Sequence, residues 1–298
     1  MRFPVAHGEE VAEAEKKVAE IGARVKMRLH LLLALALRAA ALVGPLPCRP
    51  LRCTSSIAPT RAPLAALSAR SAVVTDMDET LISKKSTGFV IEFCKQKRAF
   101  VRLAFALPLA LLLIPLSKFS RALAVRVMYW LAFRGVRVDV ADKIAAGALQ
   151  EQYVRDLQDP AATALLAADD KVVITASPVF MARPWLERYL GVPAANVYGA
   201  ELEQKNGRFT GKVLGEIPIS EAKVDLLKSS VAAADGVQSV GYGDHPTDVP
   251  FLLACDKGVL VHEPAQPIDP NFGDKLVYTP AAPFPPAKLD ALIDWDVD

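Results

Sequence analysis

This sequence contains few cysteines and carries little net charge. Four cysteines occur in 298 residues, and no two of them form a CxxC pair. That spacing argues against a structural zinc site and against a disulfide framework. The net charge of +2 gives no support to nucleic-acid binding, so we expect no nucleic-acid partner. The chain is long enough for one large domain or two small ones with a sizeable core.

Acidic residues are missing from two long stretches, and the first lies near the amino terminus. Residues 27–70 contain six arginines and no Asp or Glu. The apolar run LHLLLALAL (29–37) is typical of a signal peptide, and the Arg- and Ser-rich sequence after it is typical of a transit peptide. We interpret 1–70 as a targeting or disordered arm, with Met1 or Met27 as the true start. A plastid or an endomembrane is the predicted location.

The second acid-free stretch is residues 93–138, which carries nine basic residues. Within it, LAFALPLALLLIPL (103–116) has fourteen residues without a charge, fewer than the roughly 20 that span a bilayer. Its two prolines would also bend a helix. An apolar segment flanked by cations predicts a helix or hairpin that lies on an anionic membrane surface. The alternative is a helix buried inside the folded protein.

Polar side chains stand where several β-branched runs end. The runs are VVT (73–75), KVVITASP (171–178), VQSVGYG (237–243) and GVLVHE (258–263), and the polar residues are Asp76, Asp78, Thr175, Ser177, Asp244 and Asp248. Helical sequences separate the runs, with Gly191 as the expected C-cap of one helix and Lys223 in the first turn of another. GRFTGKV (207–213) indicates a hairpin that returns through Gly211. This alternation predicts an α/β fold with a parallel sheet, which places functional groups at the carboxyl ends of its strands.

In this order the residues resemble the motifs of the haloacid dehalogenase-like phosphatase superfamily. Asp76-Met77-Asp78-Glu79-Thr80 matches the first motif, DxDx[TV], and Thr175 the second; Lys223 matches the third, and Gly243-Asp244 through Asp248 the fourth, GDxxxD. Position 79 is more often Gly in the capped phosphatases. The resemblance implies a Rossmann-like core (71–84 and 171–280), a helical cap inserted after the first strand (85–170) and a tail (281–298).

The chemistry of a phosphate monoester gives the matched residues distinct roles. Asp76 is the predicted nucleophile, which forms an aspartyl-phosphate. Asp78 is the predicted acid and base, which protonates the leaving alkoxide and later deprotonates water. Lys223 and Thr175 are predicted to stabilise the phosphoryl oxygens, and Ser177 to bind substrate beside them.

A metal site is expected among the same carboxylates. Mg²⁺ prefers hard oxygen ligands, which Asp76, Asp244 and a backbone carbonyl, that of Asp78, would supply. Asp248 is either a further metal ligand or the residue that orients Lys223, and the sequence leaves both readings open. Mg²⁺ is therefore the predicted cofactor.

The apolar insert and the sequences TASPVFMARPWLERYLG and GDHPTDVPF give a closer resemblance, to the N-terminal domain of land-plant glycerol-3-phosphate acyltransferases of the cutin and suberin type. In that group the domain removes phosphate from lysophosphatidate where its motif residues are intact. No HxxxxD acyltransferase motif occurs here, so acyl transfer is not expected. We predict a Mg²⁺-dependent phosphomonoesterase for a lysophospholipid or another small phosphate. The alternatives are a soluble phosphoserine-phosphatase-like enzyme and a membrane-associated domain without activity.

Overall fold

The computed structural model describes residues 70–96, 120–263 and 267–293. The predicted targeting arm before residue 70 and the apolar run 103–116 lie outside these residues. The strands are β1 (Arg70–Thr75), β2 (Gln158–Asp159), β3 (Asp170–Pro178), β4 (Val197–Lys205), β5 (Arg208–Leu214), β6 (Val237–Gly243), β7 (Lys257–Leu260), β8 (Leu276–Tyr278) and β9 (Ala282–Pro283). The α-helices are α1 (Ser86–Gln96), α2 (Arg121–Phe133), α3 (Val138–Ala145), α4 (Ala148–Arg155), α5 (Ala161–Ala167), α6 (Val179–Leu190), α7 (Glu221–Ser229), α8 (Val249–Ala254) and α9 (Pro286–Ile293).

Seven strands form one sheet in the order β5-β4-β3-β1-β6-β7-β8. All neighbours in it are parallel except β4 and β5. The chain leaves β1 towards β3 on one side and later returns to β6 on the other, so the strand order reverses at β1. Ligand sites in such sheets lie at this reversal, outside the carboxyl ends of the strands. The predicted α/β fold, with a parallel core and a helical insert after the first strand, is confirmed.

Strand β1 is buried on both faces because its apolar side chains alternate between two cores. Val73 packs into the core on one face, whereas Ala72 and Val74 pack into the core on the other. Successive side chains of a strand point to opposite faces, so a central strand needs apolar residues at every position. The run VVT therefore forms a buried central strand, and Asp76 follows it at the carboxyl end of the sheet.

The helices between β1 and β3 pack against the core through aromatic rings. Phe89 of α1 stacks on Tyr153 of α4 with ring centroids 3.8 Å apart, and Tyr153 stacks on Trp185 of α6 at 5.1 Å. Phe133 of α2 meets Phe180 of α6 edge to face at 5.2 Å. Such pairs add to the energy of apolar burial and fix the ring orientations. The insert is thus joined to the helix that follows β3.

One helix end was predicted correctly and one turn was not. Gly191 ends α6 in the left-handed region with φ 62°, as expected for a C-cap. The hairpin between β4 and β5 turns at Asn206 and Gly207, both with positive φ, and not at Gly211. Gly211 lies inside β5, where a Cβ would come within 3.0 Å of the Trp130 backbone of α2. The glycine is needed for that close approach, which a single sequence does not reveal.

The residues predicted as a tail take part in the fold. Strand β9 pairs antiparallel with β2, and helix α9 follows it. The Phe284 side chain between them is buried in the same core as Trp185. Proline-rich composition concealed this apolar contact.

Candidate active site

Asp76 and Asp244 lie side by side because β1 and β6 are neighbours. Asp76 directly follows β1, and its amide donates to the carbonyl of Tyr242 in β6 at 2.9 Å. Asp244 directly follows β6. Parallel strands end at the same edge of a sheet, so these acids converge although 168 positions of sequence separate residue 76 from 244. The predicted placement at the carboxyl ends of the strands is what the structure has.

Lys223 projects from the first turn of α7 between two carboxylates. Its Nζ lies 3.1 Å from Asp76 Oδ1 and 2.6 Å from Asp248 Oδ1. The lysine side chain is only 5% exposed. Burial by itself would lower the pKa of Lys223, but the Asp76 and Asp248 charges outweigh it and raise that pKa above its ordinary value. The ammonium group therefore stays charged at neutral pH.

Asp248 orients this lysine, and Gly243 makes room for it. Asp248 Oδ1 accepts from Lys223, while Oδ2 accepts from the backbone amide of His245 at 3.2 Å. A Cβ at position 243 would come within 2.7 Å of the Asp248 Cβ, so only glycine fits there. Of the two roles left open by the sequence, these contacts support the orientation of Lys223, and the carboxylate cluster that includes Asp248 also leaves it able to contact a metal ion.

Three carboxylates could hold a metal ion. Asp76, Asp244 and Asp248 each present an oxygen, and these atoms lie within 4.8 Å of one another. Such a set of hard oxygens fits a divalent cation of the Mg²⁺ type. Thr80 Oγ1 donates to Asp244 Oδ1 at 3.1 Å and orients that ligand. Burial raises the pKa of Asp76 well above its usual range and that of Asp244 to about 6, and the charges of the neighbouring carboxylates contribute to both shifts.

The Asp78 carboxylate accepts hydrogen bonds from a different set of residues. Its Oδ2 accepts from the backbone amide of Ser86 at 3.0 Å, and its Oδ1 accepts from the Ser86 hydroxyl in a very short contact. The hydroxyl of Ser177 lies 3.4 Å from the same Oδ1. Burial raises the pKa of Asp78, while the hydrogen bonds from Ser86 oppose that effect. The Asp78 carboxylate is thus bound by serine donors and is not one of the three carboxylates that cluster as possible metal ligands.

Thr175 and Ser177 both lie near the end of β3 and are buried. Thr175 Oγ1 accepts from the Ser177 amide at 3.0 Å, so its hydroxyl proton can still be donated to a substrate oxygen. Ser177 instead contacts Ser86 and Asp78. The structure thus places Ser177 beside the predicted acid and base.

The sequence assigned no role to three residues that shape this site, Thr80, Ser86 and Gln158. Gln158 of β2 donates to the Glu79 and Thr80 carbonyls at 2.7 and 3.1 Å and holds the loop after β1. Glu79 has φ 56°, a backbone conformation that glycine adopts without strain. Thr80 stands in the DxDx[TV] motif, but Ser86 and Gln158 carry no motif and reach the site only through tertiary folding.

Two comparisons of the sequence agree with these motifs. Residues 73–253 match the family model of the haloacid dehalogenase-like hydrolases. The chain is also 31% identical over 158 residues to glycerol-3-phosphate acyltransferase RAM2 from Petunia hybrida. That alignment covers 53% of this chain and 32% of the relative. The chain thus spans about a third of the length of the curated relative that it matches.

Solved structures share the fold. A protein of unknown function from Bordetella pertussis Tohama I has a TM-score of 0.54 and 21% identity, covering 71% of this chain and 99% of its own. Cytosolic 5'-nucleotidase IIIB bound to cytidine has a TM-score of 0.52 and 14% identity, covering 76% and 86%. At these identities the likeness concerns the fold alone. The family match over residues 73–253 covers more than half of the sequence, and the chain belongs to the haloacid dehalogenase-like hydrolase family.

Proposed function

We propose that this protein hydrolyses phosphate monoesters through an aspartyl-phosphate on Asp76. One observation carries the proposal: the buried Lys223 ammonium lies against Asp76 and Asp248 at the carboxyl end of the central strand. A phosphate monoester is a dianion that repels a carboxylate nucleophile, so the site must supply positive charge beside it. A charged lysine next to the attacking group meets that need.

In the first proposed step the Asp76 carboxylate attacks phosphorus, and the bond from phosphorus to the alcohol oxygen breaks. Asp78 gives its proton to the leaving oxygen, while Lys223 and Thr175 interact with the phosphoryl oxygens. In the second step Asp78 takes a proton from water, which attacks phosphorus and releases phosphate and the Asp76 carboxylate. The separation of the two carboxylates into different surroundings suits these different roles.

Mg²⁺ is the proposed cofactor, with Asp76, Asp244 and Asp248 as ligands and the Asp78 carbonyl as a further one. When bound, it would neutralise charge on the phosphoryl oxygens and orient the ester. The carboxylate cluster described above supports this assignment because it holds more negative charge than Lys223 alone balances.

The test is a phosphatase assay on p-nitrophenyl phosphate with Mg²⁺ and with chelator. We expect activity only with the metal, and we expect Asp76→Asn to lose it by at least about 10³-fold, because an amide cannot form the acyl-phosphate. Asp256→Asn at the opposite end of the sheet is the matched control and should keep full activity. Activity in a folded, deamidation-free Asp76→Asn protein would contradict the mechanism.

The proposed substrate is an amphiphilic phosphate such as a lysophospholipid. Similarity to a plant glycerol-3-phosphate acyltransferase supports a glycerolipid phosphate. A panel of lysophosphatidate, glycerol phosphate and phosphoserine distinguishes the possibilities by kcat/KM. Preference for phosphoserine would favour the soluble-metabolite alternative, and no turnover of any ester would favour the domain without activity.

Association with an anionic membrane, at a plastid or an endomembrane, is a second proposal that rests on the sequence of 93–138. Among the described residues, no helix is long and apolar enough to cross a bilayer. The apolar run 103–116 between cations supports docking on the lipid surface. Attraction to anionic lipid is screened within about 10 Å at 0.1 M salt, so binding should weaken as salt rises.

Flotation with liposomes tests the docking. The double change Leu111→Asp and Leu112→Asp should release the protein even at low salt, since it forces charge into the acyl boundary. Turnover of a soluble ester should survive. Joint loss of binding and turnover would instead favour a buried helix, and unchanged flotation would contradict membrane docking through this run.

A further inference from the structure

Both oxygens of the Asp78 carboxylate are held by one residue of the insert. Ser86 is the first residue of α1 and is buried. Its amide donates to Oδ2 at 3.0 Å, and its hydroxyl donates to Oδ1. The amide of a first helical residue has no partner within its own helix, so it is available for such a contact. A carboxylate with a donor on each oxygen cannot rotate freely about its terminal bond.

Backbone hydrogen bonds hold the loop between Asp78 and Ser86 in place, so the contact between these two residues is part of the ordered structure. The amides of Leu81 and Ile82 both donate to the Met77 carbonyl at 3.0 Å and fold the chain back. The amide of Ser83 donates to the Asp156 carbonyl at 2.7 Å, after the end of α4. These backbone bonds return the chain to the site where α1 begins.

A residue of the core also contacts the Asp78 carboxylate. Ser177, near the end of β3, places its hydroxyl against both the Ser86 hydroxyl and Asp78 Oδ1. One carboxylate thus receives contacts from a core strand and from the first helix of the insert. The orientation of Asp78 depends on both parts of the molecule.

We propose that Ser86 is a positioning residue that aims the Asp78 carboxyl group at the leaving oxygen. Ser86 acts through Asp78 and has no contact with the ester. The proposal rests on the proposed function, since it gives Ser86 a task only if Asp78 exchanges protons with the leaving alcohol and with water.

The positioning role predicts that the effect of a Ser86 substitution depends on the leaving group of the ester. When the bond from phosphorus to oxygen breaks, the electron pair stays on the leaving oxygen, and an alkoxide needs the Asp78 proton to accept it. A p-nitrophenolate anion is stable without that proton. A misplaced Asp78 therefore slows the release of an aliphatic alcohol more than the release of p-nitrophenol. Loss of general structure would slow both to the same extent.

The experiment compares kcat/KM for glycerol 2-phosphate and for p-nitrophenyl phosphate in four proteins. They are wild type, Ser86→Ala, Asp78→Asn and the double variant. Ser86→Ala should lose about tenfold to a hundredfold on the alkyl ester, because a misplacement of about 1 Å can cost roughly 10²-fold. Its loss on the aryl ester should be several-fold smaller. In the Asp78→Asn background, Ser86→Ala should cost nothing further, since the group that it positions is already gone.

Two further variants control for structure. Thr87→Ala removes the exposed neighbouring hydroxyl of the same helix turn and should leave both reactions unchanged. Ser86→Thr keeps the amide and the hydroxyl and should restore the alkyl reaction to within about threefold of wild type, as the loss follows the missing donor. If Ser86→Ala does not fold, Ser86→Gly replaces it in every comparison.

Equal losses on the two esters, or an undiminished Ser86→Ala effect in the Asp78→Asn background, would overturn the proposal. So would failure of both Ser86→Ala and Ser86→Gly to fold, because the residue would then be structural. These outcomes differ from a failure of the proposed function, in which the wild type turns over neither ester in an Asp76-dependent way.

Discussion

Aspartates at the two ends of the parallel sheet have opposite pKa shifts. At the carboxyl end, burial raises the pKa of Asp76, Asp78 and Asp244. At the amino end, hydrogen bonds from backbone amides lower the pKa of Asp169 and Asp256. The pKa of an aspartate in this sheet is thus raised or lowered according to its surroundings.

The amino end uses a repeated arrangement. Asp169 accepts from the amide and the hydroxyl of Ser71, both at 2.9 Å. Asp256 accepts from the amide and the hydroxyl of Ser239 at 2.8 and 3.0 Å. In each case a serine near the start of one strand binds the acid that precedes the neighbouring strand, β3 or β7. Solvated and hydrogen-bonded, these acids stay ionised at little cost.

At the carboxyl end of the sheet, several aspartates are instead crowded together. Asp76 and Asp248 are buried there, and Lys223 supplies the buried positive charge between them. Crowded carboxylates oppose folding, but in the proposed function they provide the nucleophile and the place for a cation. The contrast teaches that the amino end of this sheet is built for stability and the carboxyl end for chemistry, and single substitutions at each end can test it.

The largest contrast is expected for the two ion pairs. Lys223→Met should cost about 3–5 kcal/mol of the free energy of unfolding, because it leaves Asp76 and Asp248 buried without the positive charge that pairs with them. Arg70→Met removes the pair with Asp170 at the amino end, where the arginine is 66% exposed, and should cost less than about 1 kcal/mol. Urea denaturation in chelator measures both. Similar costs would break the comparison.

A smaller effect of the opposite sign is expected at Asp244. Its pKa of about 6 in the folded protein exceeds the unfolded value of about 3.9, so its stabilising contribution is lost as pH rises through about 6. Without metal, Asp244→Asn should therefore raise the free energy of unfolding by about 1–2 kcal/mol at pH 7.5, and the gain should vanish below about pH 4.

Thermal melts in chelator across this pH range measure the gain. The amide oxygen of Asn can still accept from Thr80, so the local contact is kept. Mg²⁺ should stabilise the wild type more than the variant, since the variant has lost a ligand. A variant that is less stable than wild type at neutral pH in chelator would contradict this account.

At the amino end of the sheet, the pKa shift and its effect on stability have the opposite sign. The pKa of Asp256 lies below its unfolded value, so its contribution is present above about pH 4 and is lost as pH falls through the folded pKa. Asp256→Asn should cost about 0.5–1 kcal/mol at neutral pH, a small figure because the carboxylate is solvated. The difference from wild type should shrink in acid, which urea denaturation at several pH values would detect; a constant difference would disagree.

The smallest effect is expected from the backbone of the site loop. Glu79→Gly should stabilise the protein by roughly 0.5 kcal/mol, because glycine adopts φ 56° without the strain that a Cβ causes. Loss of the exposed ion pair with Lys85 offsets part of this gain. Asn206→Gly in the hairpin is the control and should gain less, since asparagine tolerates this region. A larger gain at 206 would refute the strain at Glu79.

Sequence patterns predicted the functional end of the sheet better than they predicted its partners. The β-branched run before Asp76 and the Gly-Asp step at 243–244 mark strand ends by local chemistry alone, and both lie where expected. Ser86 and Gln158 were not identified, because serine and glutamine carry no pattern that sets them apart from surface residues. Ser177 was assigned to substrate from its position alone, whereas its neighbours Ser86 and Asp78 are set by the packing of α1.

The sequence by itself determined the family, the strand ends and the acids that follow them, since these depend on short-range periodicity and on motif spacing. Tertiary structure alone decided which charges meet. Lys223 and Asp248 are 25 residues apart, and only the packing of α7 against α8, which Asp248 directly precedes, brings their charged atoms within 2.6 Å. The opposite pKa shifts at the two ends of the sheet have the same origin, because burial and hydrogen-bond donors belong to the folded surroundings and not to the aspartate itself.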